Sequence, residues 1–167
     1  METMDIVREV YLKPGDFCFG EGKLRISTVL GSCVSITLWH PMLGHGGMCH
    51  YMLPSRNQPR GNLALDGKYG DEAMELFMLE LNKRRTVPAQ YQVNLYGGAN
   101  MFNEPAPKGL DIGQQNIEMA YRLLDEYGFT LTYNHLGSFG RRKIAFDVWS
   151  GEVSLIHIDH RKQTANG

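Results

Sequence analysis

Apolar and polar positions alternate in short runs over much of this chain, a pattern that predicts more strand than helix. Residues 26–39 are rich in Val, Ile, Thr and Leu and are interrupted by Gly31-Ser32. That predicts two strands meeting at a tight turn. His40-Pro41-Met42-Leu43-Gly44 reads as a turn, and residues 46–53 as another strand, stopped by Pro54. Residues 55–67 are polar, with Pro59, and predict a long loop of the kind that often carries function. Asp71 is placed as an N-cap; Ala73, Leu76, Phe77 and Leu81 then give a helix with one apolar side, running into the basic Lys83-Arg84-Arg85. Residues 91–96 predict a strand, broken by Gly97-Gly98. Residues 113–127 predict a second helix: Ile117, Ala120, Tyr121 and Leu124 recur at helical spacing, and Gly128 stands where a C-terminal cap belongs. Three more strands follow over residues 129–135, 143–148 and 152–158, the last two joined at Ser150-Gly151 as a hairpin, and the polar residues 159–167 read as a frayed tail.

Two helices against seven or eight strands predict an α/β protein: a single-domain layered sandwich of mixed β-sheets with flanking helices, spanning residues 1–158. Hairpins at both ends argue against a doubly wound nucleotide fold. Neither a phosphate-binding Gly-x-x-x-x-Gly-Lys-Ser/Thr loop nor a Gly-x-Gly-x-x-Gly turn is present.

Composition narrows the classes further. The chain has 167 residues, 43% apolar and 21% charged, enough for one core. Its net charge of −1 argues against nucleic acid held by counterion release. No apolar run is long enough for a membrane span, and the acidic start lacks a secretory signal's basic and apolar regions. A cytoplasmic protein is expected. Three cysteines, Cys18, Cys33 and Cys49, make a poor disulfide framework.

Cys33 follows Gly31-Ser32 at the break between two apolar runs. A nucleophile on a sharp turn is exposed, and the N–H groups of Ser32 and Cys33 are candidate oxyanion donors. The plainer reading of Cys33 is a small buried strand residue. His50 lies in Gly47-Met48-Cys49-His50-Tyr51-Met52. Strand alternation puts Met48, His50 and Met52 on one face and Cys49 and Tyr51 on the other. A Cys–His pair is chemically meaningful because the thiolate is the nucleophile and the imidazole can move its proton. A zinc site of Cys33, His45, Cys49 and His50 has suitable ligand types, but adjacent Cys49 and His50 point to opposite faces. Arg141-Arg142-Lys143 reads as a solvated hairpin flank. Gly97-Gly98-Ala99-Asn100 reads equally as a plain turn or as a source of backbone donors near a site.

These residues together resemble a known family, the chemoreceptor glutamine deamidases called CheD. The resemblance rests on Leu30-Gly31-Ser32-Cys33-Val34, on residues 44–54 (GHGGMCHYMLP) and on His50 seventeen positions after Cys33. It continues in Tyr96-Gly97-Gly98-Ala99-Asn100-Met101, Ile112-Gly113-Gln114-Gln115-Asn116, Gly140-Arg141-Arg142-Lys143-Ile144 and Ser150-Gly151-Glu152-Val153. It implies that Cys33 and His50 are catalytic. The third member is typically a Thr six positions before the Cys; here that position is Ser27, with Thr28 next to it. The resemblance also implies a fold similar to glutamine-deamidating toxins and no metal or organic cofactor. Implied partners are the cytoplasmic helices of chemotaxis receptors and a CheC-type phosphatase. Met48, Met52 and Phe102 are the apolar residues expected to border the site and face a receptor helix. The competing readings are a binding protein working mainly through the partner phosphatase, and a papain-like protease, whose signature around the Cys is missing.

Overall fold

Strict alternation of burial along Leu24–Leu30, with Leu24, Ile26, Thr28 and Leu30 inside, shows a strand with one face against a core and one toward solvent. The chain is seen here in a computed structural model that describes residues 6–102, 104–105, 109, 111–159 and 161. Among the described residues nine strands and two long helices form in the order β1 (Arg8–Tyr11), β2 (Phe17–Glu21), β3 (Leu24–Leu30), β4 (Val34–His40), β5 (His45–Cys49), α1 (Gly70–Lys83), β6 (Gln92–Gly97), α2 (Ile112–Tyr127), β7 (Leu131–Leu136), β8 (Arg141–Asp147) and β9 (Val153–Ile158).

The strands divide into two sheets, β1-β3-β8-β9 and β2-β5-β4-β6-β7. The first pairs β1 with β3 in parallel, the second β6 with β7, and the other pairs are antiparallel. The expected layered α/β sandwich is what forms. Ile26, Leu30, Met48, Tyr96, Ile144 and Phe146 fill the space between the sheets. Val34, Ile36, Leu38, Tyr51, Phe77, Leu95, Ile117 and Leu124 fill the space between the five-stranded sheet and the helices. The five-stranded sheet is covered on both faces, which explains the near-continuous burial of β4 and β5.

Several sequence expectations are corrected. The strands either side of Gly31-Ser32 do not pair: β3 belongs to one sheet and β4 to the other, so the turn is the crossover between sheets. β1 and β2, for which the sequence reading had no strand, are short and charged or broken by glycine, so their alternation is weak. The N-cap of α1 is Tyr69, and Asp71 sits inside the first turn, where its carboxylate accepts from the Glu72 N–H. α2 is capped as expected at Gly128, which adopts φ 80°, and begins at Asp111, whose carboxylate accepts from the Gln114 N–H. Asp159 is buried and Arg161 lies over the Phe139 ring, whereas residues 160 and 162–167 of the expected tail lie outside the described residues.

Candidate active site

Cys33 lies in the crossover, immediately before β4. β4 sends Val34, Ile36 and Leu38 toward the helices, so the alternate positions face the other sheet. Cys33 accordingly packs, half-buried, on the core between the sheets. On β5 and its extension, Cys49 and Tyr51 face the helices, while Met48 faces the other sheet. The β4–β5 register pairs Thr37 with Met48, and beyond the strand Val34 bridges Tyr51. Continued by that register, His50 lies opposite Ser35 and Cys33 opposite Met52. Cys33 and His50 are diagonal neighbours on one face, a relation that brings Cβ atoms to within about 7 Å. Cys49 and His50 face opposite layers and cannot share one ion.

His50 is 2% exposed. Its Nδ1 lies 2.7 Å from Thr28 Oγ1, and that hydroxyl is also 2.7 Å from the Leu12 carbonyl oxygen. A hydroxyl has one proton. Donated to the Leu12 carbonyl, it leaves Oγ1 only as an acceptor toward the imidazole, so His50 carries its proton on Nδ1. Nε2 is then left with its lone pair. The hydroxyl that fixes this tautomer belongs to Thr28 and not to Ser27. On β3 these two point to opposite faces: Thr28 is fully buried between the sheets, and Ser27 lies on the outer face. The expectation for Ser27 is therefore corrected.

Burial sets the protonation states. It pushes the Cys33 thiol above its ordinary value. It lowers His50 to about 4, opposed by the negative charge of Asp16. At neutral pH the pair is thus thiol and neutral imidazole. Cys49, fully buried on the helix side, is pushed up to about 12 by desolvation, with the Ile36 N–H on its sulfur opposing the rise. It is inert by comparison.

The loop at Gly97-Gly98 closes on the turn that carries Cys33. The Gly98 N–H donates to the Cys33 carbonyl at 2.8 Å, and the Ala99 N–H to the Gly31 carbonyl at 3.0 Å. Both glycines have positive φ, 106° and 67°, and a Cβ on Gly97 would overlap the Cys33 carbonyl oxygen. These donors hold the turn and are spent on it. Ser32 and Cys33 N–H donate to no acceptor among the described residues.

Sequence reasoning missed two supports. Arg142 is no solvated flank: at 1% exposed it donates from Nε to His135 Nδ1 at 2.8 Å and from its terminal nitrogens to the Gly137 and Gly97 carbonyls at 2.7 and 3.4 Å. It pins the same loop from behind. Asn116, fully buried on α2, donates through Nδ2 to the Ser32 carbonyl at 3.0 Å and the Met52 carbonyl at 2.9 Å. Its segment is part of the resemblance, but the sequence does not show which carbonyls a helix residue meets.

Of the three apolar residues expected to border the site, Met52 and Phe102 are 36% and 61% exposed. Met48 is fully buried between the sheets and is core, not surface. A cavity of about 190 Å³ opens beside Ser32, lined also by Ala99, Met101, Phe102 and Ile112.

Comparison with known proteins places the chain. Residues 52–157 match the family described as CheD chemotactic sensory transduction. A probable chemoreceptor glutamine deamidase CheD 3 of Dechloromonas aromatica is 53% identical over 149 residues, 89% of this chain and 87% of that protein. The chain belongs to the CheD family. Other CheD relatives, each described as a probable chemoreceptor glutamine deamidase, are 42% identical in Pseudomonas savastanoi pv. phaseolicola (94% of this chain, 89% of that one) and 39% in Leptospira interrogans (93% and 96%). Among solved structures, the hypothetical protein YfiH of Bacillus licheniformis is 12% identical with TM-score 0.48; the match covers 80% of this chain and 60% of that one.

Proposed function

We propose that this chain is a protein-glutamine deamidase that converts glutamine side chains of chemotaxis receptors to glutamate. The observation that carries the reading is the Thr28–His50 hydrogen bond, which leaves Nε2 as a base in the layer that holds a half-buried thiol. The reading draws its substrate from the names of relatives at 39–53% identity.

The chemistry runs as an acyl transfer. His50 Nε2 takes the thiol proton as Cys33 Sγ attacks the carboxamide carbon. The N–H groups of Ser32 and Cys33 receive the developing oxyanion. The imidazolium returns its proton to the departing nitrogen, so ammonia leaves and a γ-glutamyl thioester remains. Neutral His50 then takes a proton from water, whose oxygen attacks the thioester; glutamate forms and the thiol is regenerated. Thr28 orients the ring and stabilises the imidazolium through the Nδ1–H, the role the third member of a triad plays. Balanced, the reaction is carboxamide plus water to carboxylate plus ammonia.

Exposed Met52, Met101 and Phe102 at the mouth suit the apolar side of a receptor helix, and methionine adapts to varied surfaces. A CheC-type phosphatase presenting a similar helix would compete there. The protein would act in the cytoplasm, where receptor signalling helices lie; none of its described helices is long and apolar enough to cross a membrane. Mass measurement of a receptor cytoplasmic fragment after incubation tests the reading. Conversion of carboxamide to carboxylate, lost with Cys33→Ala, is expected. Cleavage of the fragment, or binding without a mass change, would refute it.

A further inference from the structure

The β4–β5 ladder ends before the pair it serves. Its register runs through His40–His45 to Thr37–Met48, and past it a single bridge, Val34–Tyr51, carries two backbone hydrogen bonds of 3.1 and 3.0 Å. Cys33 lies one residue beyond that bridge on one side, and Met52 lies opposite it. From there the chains separate, Cys33 toward the crossover and Met52 toward Lys68, whose carbonyl accepts the Met52 N–H. Strand pairing therefore sets the register as far as Val34 and Tyr51, and no ladder hydrogen bond among the described residues holds Cys33 itself against the His50 segment.

Asn116 bridges that gap. One nitrogen donates to Ser32, which precedes the nucleophile, and to Met52, two residues after His50. The helix is tied to the same place by Tyr51, whose hydroxyl donates to the Asn116 carbonyl at 2.5 Å. The carboxamide has one orientation only, since reversing it would set Oδ1 against two carbonyl oxygens. In that orientation Oδ1 is buried and has no donor among the described residues. A fully buried carboxamide left half-satisfied is costly, and it is retained where it holds two carbonyls on either side of the reacting pair. The close approach of α2 that makes this possible needs Gly113, where a Cβ would overlap the Gly98 and Ala99 carbonyl oxygens.

We infer that Asn116 is a positioning residue: by joining the Ser32 and Met52 carbonyls it sets the alignment of Cys33 against His50 and holds the Ser32–Cys33 N–H groups toward the oxyanion. The inference rests on the Cys33–His50 reading above. Misalignment of this kind lowers the rate of bond making more than the binding of a helix at the mouth.

The test measures ammonia release from a receptor cytoplasmic fragment by the whole chain. Asn116→Ala is expected to lower kcat by about 10²-fold, because sub-ångström placement governs such steps, with KM within about threefold of the unaltered protein. Leu124→Ala, a cavity in the same helix far from the turn, controls for destabilisation and is expected to keep kcat. An Asn116→Ala protein with unchanged kcat, or a Leu124→Ala protein losing as much, overturns the inference. Asn116→Asp supplies a second readout that also serves if the alanine variant does not fold. Its carboxylate cannot donate, but its protonated form can donate to one carbonyl, and burial favours that form. Activity relative to the unaltered protein should rise from pH 8 to pH 6; a flat ratio counts against the inference. Cys33→Ala in the same assay separates the two claims. If it stays active the deamidase mechanism fails, and if it is dead while Asn116→Ala is fully active only the positioning role fails.

Discussion

Two histidines on and just after β5, His45 and His50, have almost the same local chemistry and very different surroundings. Both are buried, at 4% and 2% exposed, and both ring systems meet a hydroxyl at 2.7 Å: Tyr91 for His45 and Thr28 for His50. Both are driven toward the neutral form, first by desolvation. Five residues apart on a strand, they face opposite layers. His45 lies on the helix side among His40, Phe19 and Tyr91, with the Tyr91 hydroxyl also bonded to Thr86. His50 lies on the inter-sheet side with a thiol as diagonal neighbour and a crossover turn beyond it. A buried, hydroxyl-bonded imidazole is thus not itself a site. What distinguishes His50 is the half-buried Cys33 thiol in its layer and, beside it, the Ser32 and Cys33 N–H groups that have no acceptor among the described residues.

The sharpest way to break this contrast is to remove the groups that create it. Cys33→Ala is expected to reduce deamidation by on the order of 10⁴-fold or more, as loss of a covalent nucleophile does, with the melting temperature nearly unchanged because little volume is lost. His50→Gln should approach that loss, whereas His45→Gln should cost stability, about 0.5–1.5 kcal/mol for the lost hydrogen bond, and leave kcat within about threefold. Equal kcat losses at the two histidines would end the comparison.

A smaller effect separates the two hydroxyls on β3. Thr28→Val removes the acceptor for His50 Nδ1–H at nearly constant volume. Steady-state kinetics should show a loss of roughly 10²-fold in kcat. Ser27→Ala, on the outer face, should change the rate less than twofold on the same scale. The reverse ranking would show that the ring is oriented by another group.

Acid titration sharpens the contrast at the level of stability. His50 has a folded pKa of about 4, below the ordinary value of 6.5. The unfolded chain therefore binds a proton at higher pH than the folded one. Stability from this group is fully present above pH 6.5 and is lost as pH falls toward 4, by roughly 3 kcal/mol. His45 is shifted in the same direction and adds to the slope. Urea unfolding at pH 7, 5.5 and 4.5 should show the loss, and His50→Gln should flatten part of it. An unchanged slope in that variant would show that His50 is protonated in the folded protein. The smallest effect belongs to Cys49→Ala, which should cost about 1 kcal/mol of packing and leave the deamidation rate within about twofold.

Much of this arrangement is legible along the chain because strand alternation is a local property. The facing of Met48 and His50 against Cys49 and Tyr51 follows from the backbone pleat, and so does the incompatibility of Cys49 and His50 as ligands of one ion. The Gly31-Ser32 break, the second helix with its Gly128 cap and the layered α/β architecture carry their own local signals in backbone freedom and helical spacing.

Tertiary structure alone decided which hydroxyl meets the imidazole. Ser27 and Thr28 are opposed on β3, and the choice between them depends on which face of β3 turns toward the other sheet. Packing of Ile26 and Leu30 on Met48, Ile144 and Phe146 settles that face. Burial is likewise a sum over distant elements. Met48 is core because a second sheet covers it, and Arg142 is buried because the loop at Gly97 and the turn at Gly137 offer it carbonyls. The same holds for Asn116, whose partners Ser32 and Met52 are 84 and 64 residues away. By itself the sequence determined, through the resemblance of its motifs, the candidate pair Cys33 and His50, and alternation showed that only one of Cys49 and His50 could face the side of Cys33. The alignment of the pair was decided by contacts between elements far apart in the chain, whose geometry exists only once the sheets and helices have packed.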